Sequence, residues 1–352
     1  MVPKDTMTPR ERWLAVVRRE QPDRVPLYYR ATEEANAKLM AHLGCRTSEE
    51  LHARLHLDPM AHVGPRYVGP SRPAGEDLYG RRFRRVEYDG GAYTECSHHP
   101  LAGFHSVAEI EAGYVWPTAD WFDYSGLADQ VAGVGDLVIN GGGSEPFLLY
   151  KDLRGEEQAF IDLVENPELA HYCLDQLYGF CYENTRRIYE AIPGQVMVTS
   201  VAEDMGAQDR LLYSPAHLHE FFFPHLRRMM ELVHQAGALV NTHSDGAIRE
   251  ILPDLVAMGV DILNPVQWRC AGMDREGLKR DFGGLIFEGA MDNQFTLPFG
   301  TMEEVRQEVR DNLRILGAGG GYLLAPCHNI QVVGPPENVV AMYDTAYEEG
   351  WC

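Results

Sequence analysis

The sequence predicts an α/β fold, a (β/α)8 barrel with an N-terminal helical and β-hairpin extension. From residue 136 onward, short apolar segments alternate with amphipathic helical segments, which is the pattern of a parallel sheet covered by helices. Polar and ionisable side chains come directly after the predicted strands, at the edge where barrel proteins bind ligands. The length of 352 residues suits one large barrel domain over residues 1–352.

Seven of the eight barrel strands can be assigned to short apolar segments. They are residues 25–29, 137–140, 196–201, 239–242, 260–263, 285–288 and 322–325. The eighth strand is expected before residue 136, where the alternation of apolar and polar residues is weak.

Helices are predicted between these strands and before the first of them. The first begins after Thr8, because a threonine N-cap, Pro9 at the first helical position and Glu11 form a capping box. A long helix is expected to begin at Ser214. The others are two helices within residues 33–57, then 156–164, 167–191, 248–258, 302–316 and 335–348.

Residues 60–125 are predicted to decorate the barrel. Glycine and proline punctuate short alternating segments here, and Asp89-Gly90-Gly91 marks a hairpin turn after residues 82–88. Residues 114–124 are rich in proline and aromatic side chains, which favours an irregular cover.

Charge and composition exclude several classes of function. The net charge of -21 would repel a polyanion, so nucleic acid is not an expected partner. The sequence contains no run of about 18 apolar residues, so a membrane span is not expected. The polar N-terminus lacks the apolar core of a signal peptide. Seven cysteines without a CxxC pair favour reduced thiols. A cytoplasmic protein is expected, and its oligomeric state does not follow from the sequence.

The predicted barrel would gather polar side chains from successive loops on one rim, because the carboxyl ends of parallel strands meet there. We expect one site from these residues: Glu203, Asp204, His243, Asp245, Asn264, Gln267, Asp292, Gln294, Cys327 and His328.

Within this set, His243, Asp245 and Cys327 offer one nitrogen, one oxygen and one sulfur ligand. Such a set is compatible with a catalytic zinc ion that keeps a fourth position open. The spacing equally allows a second interpretation, in which His243 is a hydrogen-bonded loop residue, Asp245 caps the following helix and Cys327 is a buried thiol.

Glu203 and Asp204 are candidates for the general acid or base. Adjacent side chains at a strand end point in different directions, so only one of the two is expected to face the pocket. The alternative role for either carboxylate is a salt bridge or a helix cap.

Several segments together resemble one known family. They include residues 10–26, the segment His243-Ser-Asp-Gly-Ala-Ile-Arg, and residues 252–267, 297–301 and 319–331. Over nearly its whole length the chain is similar to the uroporphyrinogen decarboxylase superfamily, and this resemblance implies a (β/α)8 barrel. True decarboxylases of that superfamily carry an Arg-Gln-Ala-Gly-Arg loop that neutralises tetrapyrrole carboxylates. Here residues 28–32 contain only Arg30, so that signature is absent.

The other branch of the superfamily contains zinc-dependent methyltransferases that work with a corrinoid, and this chain resembles that branch more closely. Its members bind zinc through His-x-Cys and a later cysteine. Here Asp245 replaces the first cysteine, while His243 and Cys327 match the other ligands. A carboxylate in place of a thiolate leaves the metal a better Lewis acid.

The resemblance therefore implies a methyltransferase that passes a methyl group from a small methylated compound, for example a methyl ether, to a corrinoid on a partner protein. Glu203 or Asp204 would supply the proton. Arg30, Asn264, Gln267, Asp292, Gln294 and His328 would bind the substrate.

Two alternatives stay open. One is a metal-free decarboxylase of a carboxylated pyrrole or another acidic substrate, with Asp204 or Asp245 as proton donor. The other is a non-catalytic barrel that binds a corrinoid protein or a metabolite.

Overall fold

A seven-stranded parallel sheet forms the centre of the molecule. The structure, a computed structural model, describes residues 4–88 and 91–351. Its strands are β1 (Met60–Val63), β2 (Arg66–Tyr67), β3 (Arg82–Tyr88), β4 (Gly91–His98), β5 (Phe122–Asp123), β6 (Val138–Gly141), β7 (Val198–Ser200), β8 (Leu239–His243), β9 (Ile262–Asn264), β10 (Ile286–Met291) and β11 (Tyr322–Pro326). The central sheet has the order β1-β6-β7-β8-β9-β10-β11, and every neighbouring pair in it is parallel.

Helices precede the sheet and follow most of its strands. They are α1 (Pro9–Val17), α2 (Glu33–Leu43), α3 (Ser48–Arg54), α4 (Val107–Gly113), α5 (Leu127–Gly133), α6 (Pro146–Arg154), α7 (Glu156–Glu165), α8 (Pro167–Ala191), α9 (Pro215–His217), α10 (Phe223–Gln235), α11 (Leu252–Met258), α12 (Arg275–Asp281), α13 (Thr296–Phe299), α14 (Met302–Ile315) and α15 (Pro336–Glu349). None of the helices in the described part of the chain is long and apolar enough to cross a lipid bilayer.

The expected capping box begins α1. Thr8 accepts a hydrogen bond from the Glu11 backbone N–H, and the Glu11 carboxylate accepts one from Thr8 N at 2.8 Å. The long helix expected from Ser214 is interrupted, since a π-helical turn at Leu218–Phe222 separates α9 from α10. Helices α4, α5, α6, α12 and α13 were not predicted, and each has nine residues or fewer.

The missing strand before residue 136 is β1, which pairs with β6 in parallel register from Met60 opposite Val138 to Val63 opposite Gly141. The decorating segment therefore begins after Val63 rather than at residue 60.

The predicted parallel sheet is confirmed. Residues 25–29 form no strand of it; Leu27 makes an isolated parallel bridge to Leu324, so a closed eight-stranded barrel stays a prediction.

The decorating segment contains the predicted hairpin. Strands β3 and β4 pair antiparallel, from Arg82 opposite His98 to Tyr88 opposite Gly91. The predicted turn residues Asp89 and Gly90 lie outside the described residues. The expected irregular cover at 114–124 contains a 3-10 turn at Ala119–Trp121 and the two-residue strand β5, which pairs with β2.

Two apolar clusters build the core. One fills the interior of the curled sheet with a side chain from most strands, and Trp13 and Val16 of α1 pack against it. The second and larger cluster lies between the sheet and the surrounding helices. Because the interior of the sheet is filled with side chains, it leaves no channel for a ligand, and the carboxyl rim is the expected binding edge. The six cysteines among the described residues are free thiols, and Cys352 lies outside those residues.

A buried ionic group holds residues 25–29 against the start of β1. Asp58 is only 2% exposed and pairs with Arg12 and Arg24, each 1% exposed. Its Oδ2 accepts hydrogen bonds from Arg24 Nη1 at 2.7 Å and from Leu27 N at 2.9 Å. Asp58 N donates in turn to Leu27 O at 2.8 Å. One carboxylate thus connects α1, residues 24–27 and the beginning of the sheet.

We predict that Asp58→Ala lowers the free energy of unfolding by about 3–5 kcal/mol, because it leaves two buried guanidinium groups without this partner. Urea unfolding measures the loss. Asp344→Ala is the matched control, since Asp344 pairs with Arg54 at 2.9 Å and both side chains are over one-third exposed. It should cost less than about 1 kcal/mol. Equal losses in the two variants would contradict this role of Asp58.

Candidate functional site

A polar cavity of about 340 Å³ opens at the carboxyl ends of the central strands. Five of the residues predicted from the sequence line it. They are Arg30, Asp204, His243, Asn264 and His328. The convergence of distant loops on one rim, which the sequence led us to expect, is therefore present for this part of the predicted set.

Three side chains at this cavity can hold a metal ion together. One oxygen of Asp204, one ring nitrogen of His243 and one oxygen of Asp245 all lie within 4.8 Å of one another. Within residues 4–88 and 91–351 this is the one group of three or more His, Cys, Asp or Glu side chains with that geometry. Two carboxylates and one imidazole form a donor set that suits Zn²⁺ and other divalent cations.

His243 is oriented by a neighbour on the next strand. The parallel register of β8 and β9 places His243 opposite Asn264. The Asn264 amide group donates to Glu288, so its Oδ1 faces His243 Nδ1 at 2.7 Å and accepts a hydrogen bond from it. The proton on Nδ1 leaves a lone pair on Nε2, which lies 3.9 Å from Asp204 Oδ1. Imidazole ligands of metals are commonly oriented in this way.

Asp245 has a buried oxygen that lacks a partner. Its backbone N–H donates to Asp204 Oδ1 at 3.2 Å, whereas its own Oδ1 is buried and accepts no hydrogen bond from the described residues. Burial raises the pKa of Asp245, and the nearby His243 and His328 oppose that rise. A buried carboxylate oxygen without a partner costs free energy. A cation bound by the cluster would satisfy it.

The spacing of the cluster is slightly wider than that of an occupied site. A tetrahedral zinc ion with bonds of about 2.0–2.2 Å keeps its ligand atoms roughly 3.3–3.6 Å apart. His243 Nε2 and Asp204 Oδ1 are 3.9 Å apart, and all three donor atoms lie within 4.8 Å, so the side chains would move closer together on binding an ion. The residues therefore fit a divalent cation.

Backbone contact between two glycines brings the ligand-bearing loops together. A Cβ on Gly246 would lie 2.5 Å from the Gly206 carbonyl carbon, and a Cβ on Gly206 would lie 2.6 Å from Asp245 O. Gly246 also has a φ of +89°, which favours glycine. Ala247 N donates to Ala207 O at 2.7 Å across the same contact. The loops after β7 and β8 are thus joined through their main chains.

Comparison with known proteins identifies the family. The family model described as "Uroporphyrinogen decarboxylase (URO-D)" matches residues 132–349, which is more than half of the chain. The chain belongs to the uroporphyrinogen decarboxylase family. The match includes every loop that contributes to the cation cluster.

Two curated relatives from this family are distant in sequence. A "Uroporphyrinogen decarboxylase" of Anaeromyxobacter dehalogenans (strain 2CP-C) is 26% identical over 369 residues, which cover 97% of this chain and 99% of that protein. Another, from Anaeromyxobacter sp. (strain Fw109-5), is 27% identical over 211 residues, covering 60% of this chain and 54% of the relative.

A solved structure shares the fold over nearly the whole chain. It is a methyltransferase from Methanosarcina mazei, with a TM-score of 0.62 and 18% sequence identity. The alignment covers 97% of this chain and 98% of that chain. At this level of identity the likeness establishes a common architecture.

Of the two adjacent carboxylates in this family member, Asp204 faces the cavity and Glu203 points into the protein. Glu203 is 2% exposed and accepts hydrogen bonds from Phe147 N at 3.0 Å and Tyr178 Oη at 2.7 Å. We expected only one of the pair to face the pocket, and the structure identifies that one as Asp204. Glu203 therefore has no access to a substrate in the cavity.

Cys327 is not part of the cluster that contains His243 and Asp245. Its thiol donates to Val266 O at 3.3 Å, and burial together with the charges of Glu308 and Asp292 raises its pKa well above the usual value. A metal ion that bound this thiol would have to displace its proton. The ligand set with Cys327 stays a prediction, whereas the three donor atoms that lie within 4.8 Å of one another belong to Asp204, His243 and Asp245.

Three other predicted substrate-binding residues brace the loops instead of lining the cavity. Gln267 accepts a hydrogen bond from Gly246 N at 2.8 Å and donates to Gln294 at 3.3 Å. Asp292 pairs with Arg269 at 2.6 Å and accepts from the backbone of residues 294–296. These contacts hold the loops after β8, β9 and β10 in place.

The sequence analysis missed several polar residues around the site, including Ser200 and Asn329, which line the cavity. Asn140 and Glu145 line the cavity, as does Asn241, and the buried Glu288 accepts a hydrogen bond from Asn241 Nδ2 at 2.9 Å. Asn140, Asn241 and Glu288 lie inside predicted strands. A polar residue within an otherwise apolar strand was the signal that could have revealed them.

Glu203 should make the stability of the protein depend on pH. Burial raises its pKa to about 8, against the effect of its two hydrogen bonds. Between the ordinary pKa of glutamate and this value the native state holds one more proton than the unfolded state, so stability falls as the pH rises. We predict that the free energy of unfolding falls more between pH 5 and pH 9 in wild type than in Glu203→Gln. Urea unfolding at the two pH values measures this difference.

The exposed Glu165 at the end of α7 provides the control for this measurement. Glu165→Gln should follow the wild-type dependence on pH. If the free energy of unfolding depends on pH in the same way in wild type and Glu203→Gln, the assignment of a protonated Glu203 is contradicted.

Proposed function

We propose that this protein is a cation-dependent methyltransferase. It removes a methyl group from a small methylated compound, such as a methyl ether, and transfers it to a corrinoid on a carrier protein. The observation that carries this proposal is the cluster of Asp204, His243 and Asp245 at the cavity, with one buried oxygen of Asp245 unpaired. The common architecture with a methyltransferase from Methanosarcina mazei supports it.

The cation would be held by one oxygen each from Asp204 and Asp245 and by Nε2 of His243. Zinc bound there would act as a Lewis acid toward the heteroatom that carries the methyl group. Replacement of a thiolate by carboxylates makes the donor set harder, which favours this role and also admits other divalent cations.

The remaining residues of the cavity position the substrate and supply a proton. Asn264 holds the His243 ring in one orientation. His328 faces that ring with a centroid separation of 6.4 Å, so it can contact a substrate bound at the cluster. We assign the proton-donating role expected of Glu203 or Asp204 to Glu145. Burial and the charge of Asp204 raise the pKa of Glu145, which favours its protonated form.

The proposal includes an eighth strand that closes the barrel, formed by residues 25–31. Parallel bridges from Leu27 to Leu324 and from Ala31 to Ile330 support closure at β11. On the other side, the hydrogen bond from Asp58 N to Leu27 O supports closure next to the start of β1.

Metal analysis of single variants tests the ligand set. Wild type should bind one zinc ion per chain. His243→Ala and Asp245→Ala should weaken zinc binding by more than about 100-fold, since each removes a ligand. Cys327→Ser is the matched control and should bind zinc like wild type. Competition with a chromophoric chelator gives the affinities, and elemental analysis gives the stoichiometry.

Two results would contradict the proposed site. If wild type binds no zinc or other divalent cation, the cation-dependent mechanism fails. If Cys327→Ser loses the metal and Asp204→Ala keeps it, the set of His243, Asp245 and Cys327 is correct and the cluster described here is not.

A metal-free decarboxylase is the second candidate, and the names of the two curated relatives favour it. An acidic substrate would meet Arg30 at the cavity, together with the carboxylates of Asp204 and Glu145. Release of carbon dioxide from a carboxylated pyrrole by the metal-free protein would establish this activity in place of methyl transfer.

A further inference from the structure

A second cavity of about 220 Å³ adjoins the first. Arg30, Asn140 and Asn241 line both cavities, so the two share a wall. Tyr28 and Glu288 line the second cavity and not the first. We call this second cavity the inner chamber.

The hydroxyl of Tyr28, a residue that lines the inner chamber, is buried and lacks a hydrogen-bond partner among the described residues. The residue as a whole is 8% exposed. Burial and the charge of Glu288 raise its pKa well above the usual value, so the phenol keeps its proton. A buried hydroxyl without a partner costs free energy, which a ligand that accepts this hydrogen bond would recover.

The main chain of Tyr28 is held by hydrogen bonds, and its ring is held by packing. Tyr28 N donates to Leu324 O at 2.9 Å, and Tyr28 O accepts from Tyr343 Oη at 2.6 Å. The ring packs with the apolar cluster inside the sheet. Rotation of the Tyr28 side chain toward another partner would lose the packing of its ring in this cluster.

Glu288 provides an acceptor in the same chamber. It is 2% exposed, its Oε2 accepts from Asn241 Nδ2 at 2.9 Å, and its Oε1 lies 4.0 Å from Arg30 Nη2. A hydroxyl group can accept a hydrogen bond from Tyr28 and donate one to Glu288 at the same time. The amide of Asn140 can bond to a second hydroxyl.

The charges in the chamber favour an uncharged ligand. Arg30 Nη2 already lies 4.0 Å from Glu288 Oε1, so a carboxylate on the ligand would have to compete with this buried acid for the guanidinium. The net charge of -21 on the whole chain adds to this repulsion. An ammonium group on the ligand would be repelled by the positive charge of Arg30.

We infer that the inner chamber binds the uncharged, hydroxyl-bearing end of the substrate. The inference rests on the proposed function only where it places the methylated end of the same molecule at the cation cluster. The substrate class is then a small alcohol or polyol that carries one methylated heteroatom.

Two small probes test the inference, 2-methoxyethanol and methoxyacetate, which share the methyl ether and differ in the hydroxyl or carboxylate at the other end. Ligand-observed NMR titrations of the full chain give their dissociation constants. Wild type should bind the alcohol more tightly than the acid. Tyr28→Phe should weaken binding of the alcohol by about 5- to 10-fold, through loss of one hydrogen bond.

Tyr29→Phe is the matched control. Tyr29 also lines the chamber, yet its hydroxyl donates to Asn36 Oδ1 at 3.1 Å. The variant should bind the alcohol like wild type. Tyr28→Phe removes a single oxygen, and thermal unfolding will show whether the variant folds. If it does not fold, the relative affinity of wild type for the alcohol and the acid tests the inference.

The same titrations on chelator-treated protein separate this inference from the proposed function. The chamber contains none of the proposed metal ligands, so the preference for the alcohol and its dependence on Tyr28 should persist without metal. Failure to bind any cation would then remove the methyltransferase proposal alone. The inference is overturned if the alcohol does not bind, if methoxyacetate binds more tightly, or if Tyr28→Phe binds the alcohol like wild type.

Discussion

The hydrogen bond between His243 and Asn264 is the interaction on which the candidate site depends. It exists because the parallel register of β8 and β9 places these residues opposite each other. Asn264 is oriented in turn by the buried Glu288 of β10. Three successive strands thus determine which nitrogen of one imidazole faces the cavity. A shift of register would move His243 away from this partner.

A layer of buried polar side chains separates the cavities from the apolar interior of the sheet. Below it, Val138, Val198 and Ile262 pack with Trp13 of α1. Within it, Asn241 and Glu288 bond to each other. Since Asn241 and Glu288 hold each other in place, a ligand at the rim meets a donor and an acceptor whose directions are already fixed.

Much of the fold followed from the sequence, because strands and long helices carry local periodic signals. The expected meeting of His243 and Asp245 at the rim followed from that fold. The third member of the cluster did not, because the choice between Asp204 and Cys327 depends on side-chain direction and on loop contacts. Hydrogen bonding of Cys327 to Val266 and main-chain packing of Gly206 against Gly246 have no signature in residue spacing.

The contact between Gly206 and Gly246 also offers a criterion for sorting related sequences. Neither position has room for a methyl group, so a side chain at either one has to push the two loops apart. Asp204 and Asp245 would then separate as well. A chain of this fold that carries both aspartates but lacks either glycine is therefore not expected to bring the two carboxylates together in the same arrangement.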